Sequence, residues 1–238
     1  MKVSVWSKWY EDNGKTDVRS QGLLPFRVWQ FFDEMVKRVE NNDAAGFLCA
    51  AGVVSHYTGD ACQPLHGSYL ADGYKNSPDA TDKKWPGKGV HSTYEDKMVD
   101  RHSQELLEQI GLKAAAFQGG IPTISDGRDA AFATVKLMDY VANMIEPSTL
   151  CDEYIRLGGG TSVNVVDGLW TTFGENTAVV MGAGARYLAA LWEAAFEKAG
   201  ASTLDGVGVI EEQKLASIYQ DKNFVPSLTL KEIGPVLE

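Results

Sequence analysis

The amino-acid sequence predicts an all-α protein, and three observations support that prediction. Apolar residues recur at the three- and four-residue spacing of amphipathic helices in several separate segments. No segment of convincing length alternates apolar and polar residues as a half-buried strand does. Apolar residues make up 44% of the 238 residues, which is ordinary for a folded domain with a core. We therefore expect a single helical domain over residues 1–238.

The predicted domain has three parts. Residues 1–22 carry several aromatic residues and a polar turn, and they are interpreted as an extended or looped arm. Residues 23–200 contain the strongly periodic segments and form the helical core. Residues 201–238 form a C-terminal extension, with a short helix near 209–220.

The first two core helices are indicated by their start signals and apolar patterns. Pro25 suits the first position of a helix, and apolar residues at helical spacing continue from there to Glu40. The next helix starts at Ala44 and is apolar almost all round, which predicts a central, buried element that Pro64 disrupts near its end. Residues 67–88 are rich in glycine, proline and charge, so they are predicted to form a long, functional loop.

The second half of the core is predicted to be helical as well. One helix runs from about Val90 to Ile110, and a second covers residues 132–145 before Pro147 closes it. Residues 163–199 form either one long helix or two helices joined in the region of Gly182. Residues 114–127 and 158–160 connect these elements.

Composition narrows the classes of partner. The net charge is −10, from 32 acidic and 22 basic residues, which argues against a broad basic surface for nucleic acid. The three cysteines match no disulfide framework or zinc-knuckle spacing. The N-terminus lacks the apolar stretch of a signal peptide, and the longest apolar run, residues 44–54, is too short to span a bilayer. No transmembrane segment is therefore expected, and the cellular location stays open.

Chemistry is suggested by the positions of the histidines. His56 precedes Asp60 by four residues, and His91 precedes Glu95 by four residues, so each pair shares one face of a helix. His66 follows the break in the first of these helices. Zinc accepts neutral imidazole and carboxylate ligands, and three protein ligands plus water is typical of a catalytic zinc. The spacing leaves two alternatives open, a metal site or a set of buried or surface-paired histidines.

Two stretches of the chain resemble a known superfamily. GVVSHYTGDACQPLHGSY and GVHSTYEDKMVD are similar to the core of the zinc-dependent phospholipase C and single-strand-specific zinc nuclease superfamily. The similarity lies in the order His-x-x-x-Asp, Gln-Pro-Leu-His and His-x-x-x-Glu. It spans roughly residues 13–110 and, more faintly, residues 165–197. The resemblance implies a multi-helix, phospholipase C-like fold.

The resemblance also implies how the ligands are divided, since the superfamily holds a cluster of three metal ions. His66, His91 and Glu95 would hold one zinc and leave a position for water or substrate. His56 and Asp60 would belong to the other two ions, with Asp60 bridging them. No side chain is assigned as catalytic, and the expected nucleophile is a water molecule on the metal.

One part of the superfamily pattern is missing. The superfamily takes further ligands from earlier in its chain, whereas no histidine precedes His56 here. The resemblance therefore implies an N-terminally shortened member with one well-formed zinc site out of a cluster of two or three ions. A shortened chain would expose apolar surface, so a homo-oligomer is expected. Members of the superfamily are mostly secreted or periplasmic.

The implied function is hydrolysis of phosphoesters. The leading prediction is a zinc-dependent, phospholipase C-like phosphodiesterase that acts on a small phosphoester or a phospholipid, with a broad substrate range because its metal cluster is incomplete. The first alternative is a single-strand nuclease-like phosphodiesterase, which the negative charge disfavours. The second alternative is a non-catalytic, zinc-stabilised helical protein.

Overall fold

The structure, a computed structural model, describes residues 2–15, 17 and 21–237. Every α-helix, π-helix and 3-10 helix within these ranges agrees with the all-α prediction, and none of the described residues forms a β-strand. The remaining positions of the predicted arm and C-terminal extension, residues 1, 16, 18–20 and 238, lie outside the described residues.

The helical elements range from 3 residues to the 37 residues of the longest helix. In chain order they are α1 (Val3–Asp12), α2 (Leu24–Glu40), α3 (Ala44–Ala61), α4 (Val90–Ser92), a π-helix (Thr93–Met98), α5 (Val99–Arg101), α6 (Ser103–Ala116), α7 (Gly127–Met144), α8 (Pro147–Arg156), α9 (Val163–Ala199), a 3-10 helix (Val207–Val209), α10 (Glu212–Gln220) and α11 (Leu230–Leu237).

Several predicted helix boundaries agree with the structure, and others need correction. Residues 163–199 form one helix, α9, and not two. Pro147 was expected only to close a helix, but it also opens α8, because a proline lacks the N–H that a first helical residue leaves unbonded. The helix predicted from Val90 to Ile110 is interrupted by the π-helix and by a bend at His102, and it continues to Ala116.

The prediction of an extended or looped N-terminal arm is wrong for residues 3–12. Their aromatic residues lie on α1, which packs against α11 and contacts α2 through the Trp6 ring. Val3 is buried with Ile233 in this cluster, and the Trp6 ring meets the Phe26 ring edge-on with centroids 5.2 Å apart. Residues 3, 6 and 10 share one helical face, so burial of that face stabilises a helix that looked irregular in the sequence.

Contacts within the chain divide it into two compact units. The first comprises the chain up to Thr58, Ile121–Val135 and the chain from Tyr187 onward, and the second comprises Gly59–Gly120 and Lys136–Arg186. The predicted single domain stays a prediction. None of the described helices is long and apolar enough to cross a membrane. The predicted homo-oligomer also stays a prediction.

The carboxyl group of Asp33 on α2 supplies a prediction about pH. The residue surface of Asp33 is exposed, but neighbouring groups desolvate its carboxyl group and raise the pKa to about 6. A side-chain hydrogen bond with Trp29 opposes the rise, and the charge of Asp126 adds to it. An unfolded chain ionises Asp33 at lower pH than the folded chain does, so Asp33 reduces stability progressively as the pH rises from about 4 to about 6. Asp33→Asn should therefore raise the melting temperature at pH 7 and leave it unchanged near pH 4. An equal change at both pH values, measured by calorimetry, would contradict this assignment.

Candidate metal centre

Three of the predicted ligands come together in the second unit. The ligand atoms of His66, His91 and Glu95 all lie within 4.8 Å of one another. The two imidazole rings are tilted by 43°, with their centroids 4.9 Å apart. Among the residues that the structure describes, this is the group of three histidine, cysteine or acidic side chains placed to hold a metal ion.

The distances within this cluster fit a metal of the size of zinc. Nε2 of His91 lies 2.9 Å from Oε2 of Glu95, and Nε2 of His66 lies 3.3 Å from the same oxygen. Zinc binds nitrogen and oxygen at about 2.0–2.2 Å, which sets tetrahedral ligand atoms roughly 3.4 Å apart. The two distances to Glu95 lie within about half an ångström of that separation, and the distance between the two imidazole ligand atoms is no more than 4.8 Å.

The orientation of the His91 ring is set by the long loop before it. Its Nδ1 lies 2.6 Å from the backbone carbonyl oxygen of Ala71. A carbonyl oxygen only accepts, so Nδ1 carries the proton and Nε2 is the nitrogen that faces the cluster. A fixed tautomer of this kind, with the far ring nitrogen bonded to a backbone carbonyl, is typical of metal-binding histidines.

Hydrogen bonds hold the loop that presents the Ala71 carbonyl. The indole N–H of Trp85 donates to the Asp72 carbonyl oxygen at 2.6 Å, and the Asp72 side chain accepts from the Gly89 N–H at 2.8 Å. Gly73 has a φ of +88°, and an added Cβ would lie 2.5 Å from the Pro86 carbonyl oxygen. Glycine is therefore required at this close approach. The predicted long loop thus has a structural role, because it positions the carbonyl group that contacts His91.

The third ligand, Glu95, is on the π-helix. The sequence predicted a regular α-helix here, with His91 and Glu95 on one face, and the structure keeps the two side chains together across a wider turn. Tyr94 beside it is buried, and its hydroxyl lies 2.8 Å from the Thr177 hydroxyl on α9. π-helical turns are rare and are frequently found at functional sites, which agrees with Glu95 as a candidate ligand.

Hydrogen bonding shapes the protonation of the cluster. The hydrogen bond to Glu95 raises the pKa of His91 above its ordinary value, desolvation opposes the rise, and the bond to Ala71 supports it. Hydrogen bonds from His66 and then His91 hold the pKa of the Glu95 carboxyl well below its usual range. Glu95 is therefore an anion at neutral pH, as a metal ligand must be.

Sequence reasoning missed one residue of this cluster. Gln63 is buried, and its side-chain N–H donates to Oε2 of Glu95 at 3.2 Å. The only signal in the sequence is that Gln63 begins the Gln-Pro-Leu-His stretch, which ends at His66. A contact 32 residues away along the chain has no periodic signal.

The structure does not bring His56 and Asp60 into the cluster. Both lie on α3, with His56 exposed and Asp60 partly buried. The His56 side chain lines a cavity of about 610 Å³ in the first unit, together with residues of α10 such as Leu215 and Tyr219. A second metal site that uses this pair stays a prediction.

His102 has a different set of neighbours. Its Nε2 lies 3.1 Å from Oδ1 of Asp167, a carboxylate that also binds Arg101, and its ring stacks on Trp170 with centroids 4.5 Å apart. The hydrogen bonds described for the rings of His66, His91 and His102 go to carboxylates or to a backbone carbonyl, and none of those bonds goes to a serine hydroxyl.

Comparisons with known proteins identify a relative by sequence. No family model matches the chain, and no solved structure matches it. A protein of Bradyrhizobium tropiciagri, named a probable serine protease, is 40% identical to this chain over 262 residues. The alignment covers 100% of this chain and 33% of the relative, so the chain spans about one third of the relative's length.

This relative corrects the predicted function. Its name is that of an enzyme, in agreement with the prediction of an enzyme, but it names a protease and not a phosphoester hydrolase. The prediction of a phospholipase C-like phosphodiesterase is therefore wrong, and so is its nuclease-like alternative. The alternative of a non-catalytic, zinc-stabilised protein stays a prediction. The resemblance to the superfamily and its site residues stay predictions, and the coarser statement that His66, His91 and Glu95 could hold a metal ion agrees with the structure.

Proposed function

We propose that this chain binds a zinc ion through His66, His91 and Glu95 and hydrolyses peptide bonds. The convergence of two imidazoles and one carboxylate at zinc spacing is the observation that carries the proposal. Peptide is proposed as the substrate class because the relative, of which about one third is similar to this chain, is named a probable serine protease.

The donor set favours zinc over other common ions. Calcium and magnesium prefer oxygen ligands, in larger numbers than this cluster supplies, whereas two imidazoles and a carboxylate suit zinc. The same set also suits ferrous iron, so the identity of the metal is part of the test. Two histidines and one glutamate are a ligand set known from zinc peptidases.

The chain's own residues would each contribute in a defined way. His91, fixed by the Ala71 carbonyl, and His66 supply neutral donors, while Glu95 supplies one negative charge. Bound zinc supplies Lewis-acid chemistry, in that it polarises a carbonyl group and lowers the pKa of water. All three side chains keep solvent contact, which leaves the cluster open to a substrate.

Inhibitor profiles test the proposal directly. The purified chain should contain about one zinc per molecule by elemental analysis and should cleave a fluorogenic peptide mixture. A chelator should abolish the cleavage and added zinc should restore it, because the ligand set needs the ion for Lewis-acid chemistry. A fluorophosphonate, which modifies reactive serines, should have no effect.

Three results would contradict the proposal. They are a protein without stoichiometric zinc, iron in place of zinc, or a peptidase that the fluorophosphonate inhibits and the chelator does not. The last result would place the chemistry on a serine and leave His66, His91 and Glu95 without a catalytic part.

A further inference from the structure

Gln63 lies in the turn that follows α3 and precedes His66. Its residue surface is 7% exposed, so its amide group must find partners within the protein. The side-chain oxygen accepts a hydrogen bond from the backbone N–H of Leu65, and the side-chain nitrogen donates to Oε2 of Glu95 at 3.2 Å. Both ends of the amide group therefore have a partner.

The direction of the amide group follows from these partners. The Leu65 N–H only donates and the Glu95 carboxylate only accepts, so the oxygen of Gln63 must face Leu65 and the nitrogen must face Glu95. The reverse orientation would set a donor against a donor and an acceptor against an acceptor. Gln63 thus presents a fixed donor to one oxygen of one ligand.

The oxygen that Gln63 contacts is the one that faces the imidazoles. Oε2 of Glu95 lies 2.9 Å from Nε2 of His91 and 3.3 Å from Nε2 of His66. A carboxylate oxygen has two lone pairs, so Oε2 can accept from Gln63 with one and serve a metal ion with the other. Rotation of the carboxylate to offer both of its oxygens to an ion would break the bond to Gln63.

We infer that Gln63 is a positioning residue that holds Glu95 as a one-oxygen ligand and thereby favours four-coordinate zinc. The inference rests on the proposed zinc site. Gln63 acts through Glu95 and does not touch the ion. Because the buried turn at Pro64 and Leu65 anchors Gln63, the restraint on Glu95 comes from the segment that also carries His66.

Two substitutions separate this role from a purely structural one. Gln63→Met has a similar length and removes both hydrogen bonds. Gln63→Glu keeps an acceptor for the Leu65 N–H but has no donor for Glu95. Gln30→Met is the matched control. Gln30 lies in the first unit, is buried to a similar extent, and accepts a hydrogen bond from Arg27 through its amide oxygen.

Zinc affinity is measured by competition with a chromophoric chelator, and coordination by the visible spectrum of the cobalt-substituted protein. Loss of an outer hydrogen-bond partner weakens metal binding about 10- to 100-fold, so both Gln63 variants should lose affinity in that range. Their cobalt absorption should weaken, because a freely rotating carboxylate adds its second oxygen and raises the coordination number. Gln30→Met should match the wild type in both measurements.

The outcomes distinguish this inference from the proposed function. A wild type that binds no zinc overturns both. A wild type that binds zinc tightly, with Gln63→Met equal to it in affinity and spectrum, overturns the inference alone. Wild-type affinity together with the wild-type cobalt spectrum in Gln63→Glu would show that the Leu65 bond matters and the donor to Glu95 does not, which also overturns it.

Discussion

Replacing Glu95 with alanine is expected to abolish stoichiometric zinc binding. Glu95 is the only one of the three clustered side chains that brings a negative charge, and both imidazoles contact its Oε2 atom. Without it, two neutral histidines remain, which is fewer than the three protein ligands of a catalytic zinc. The loss should exceed the roughly 10- to 100-fold loss that removal of an outer partner causes.

Asp96→Ala provides the matched control for Glu95→Ala. Asp96 is the next residue of the same π-helix, is exposed, and lies outside the cluster. Isothermal titration of both variants with zinc should give one binding event for Asp96→Ala and none of comparable affinity for Glu95→Ala. Equal zinc binding by the two variants would exclude Glu95 as a ligand and with it the proposed centre.

Replacing Gly182 with alanine is expected to destabilise the second unit by about 1–3 kcal/mol. Gly182 lies within α9 where that helix passes close to α6, and an added Cβ would lie 2.8 Å from the backbone nitrogen of Ala114. The Cβ would also lie 2.9 Å from Cβ of Lys113. Backbone atoms cannot turn aside as a flexible side chain can, so the helices must separate and lose contacts.

Gly111→Ala is the matched control, with an effect of the opposite sign. Gly111 lies on α6, and an added Cβ would meet nothing within 4 Å. Alanine should therefore stabilise the helix by about 0.5–1 kcal/mol through lower backbone entropy in the unfolded state. Urea denaturation followed by circular dichroism measures both variants, and a Gly182→Ala protein as stable as Gly111→Ala would show that the helices do not meet as described.

Much of the helical fold could be predicted from the sequence because helix formation leaves a local record. The apolar spacing of residues 26–39 and the all-apolar run from Ala44 reflect faces that are buried in the structure. The helix in the N-terminal arm was not predicted, because the apolar face of α1 is narrow and gives a weak periodic signal. That face is stabilised by contact with α11, which is distant in sequence.

The functional class was the least accessible property. The order of histidines and acids points to a metal, but a ligand set does not specify the bond to be cleaved. The name of the relative of Bradyrhizobium tropiciagri contradicts the predicted phosphoester hydrolase and does not bear on the cluster. The metal centre and the reaction were therefore separable predictions, and they require separate tests.

The sequence by itself determined the all-α class, and it singled out His66, His91 and Glu95 as candidate metal ligands. It could do so because periodicity and chemically distinctive side chains are local properties. Only the tertiary structure decided that Gln63 and the Ala71 carbonyl support these residues, that Glu95 lies on a π-helix, and that Gly182 permits a close helix crossing. Each of these depends on how segments distant in sequence approach one another. The path of the intervening chain fixes that approach, and no short-range pattern records it.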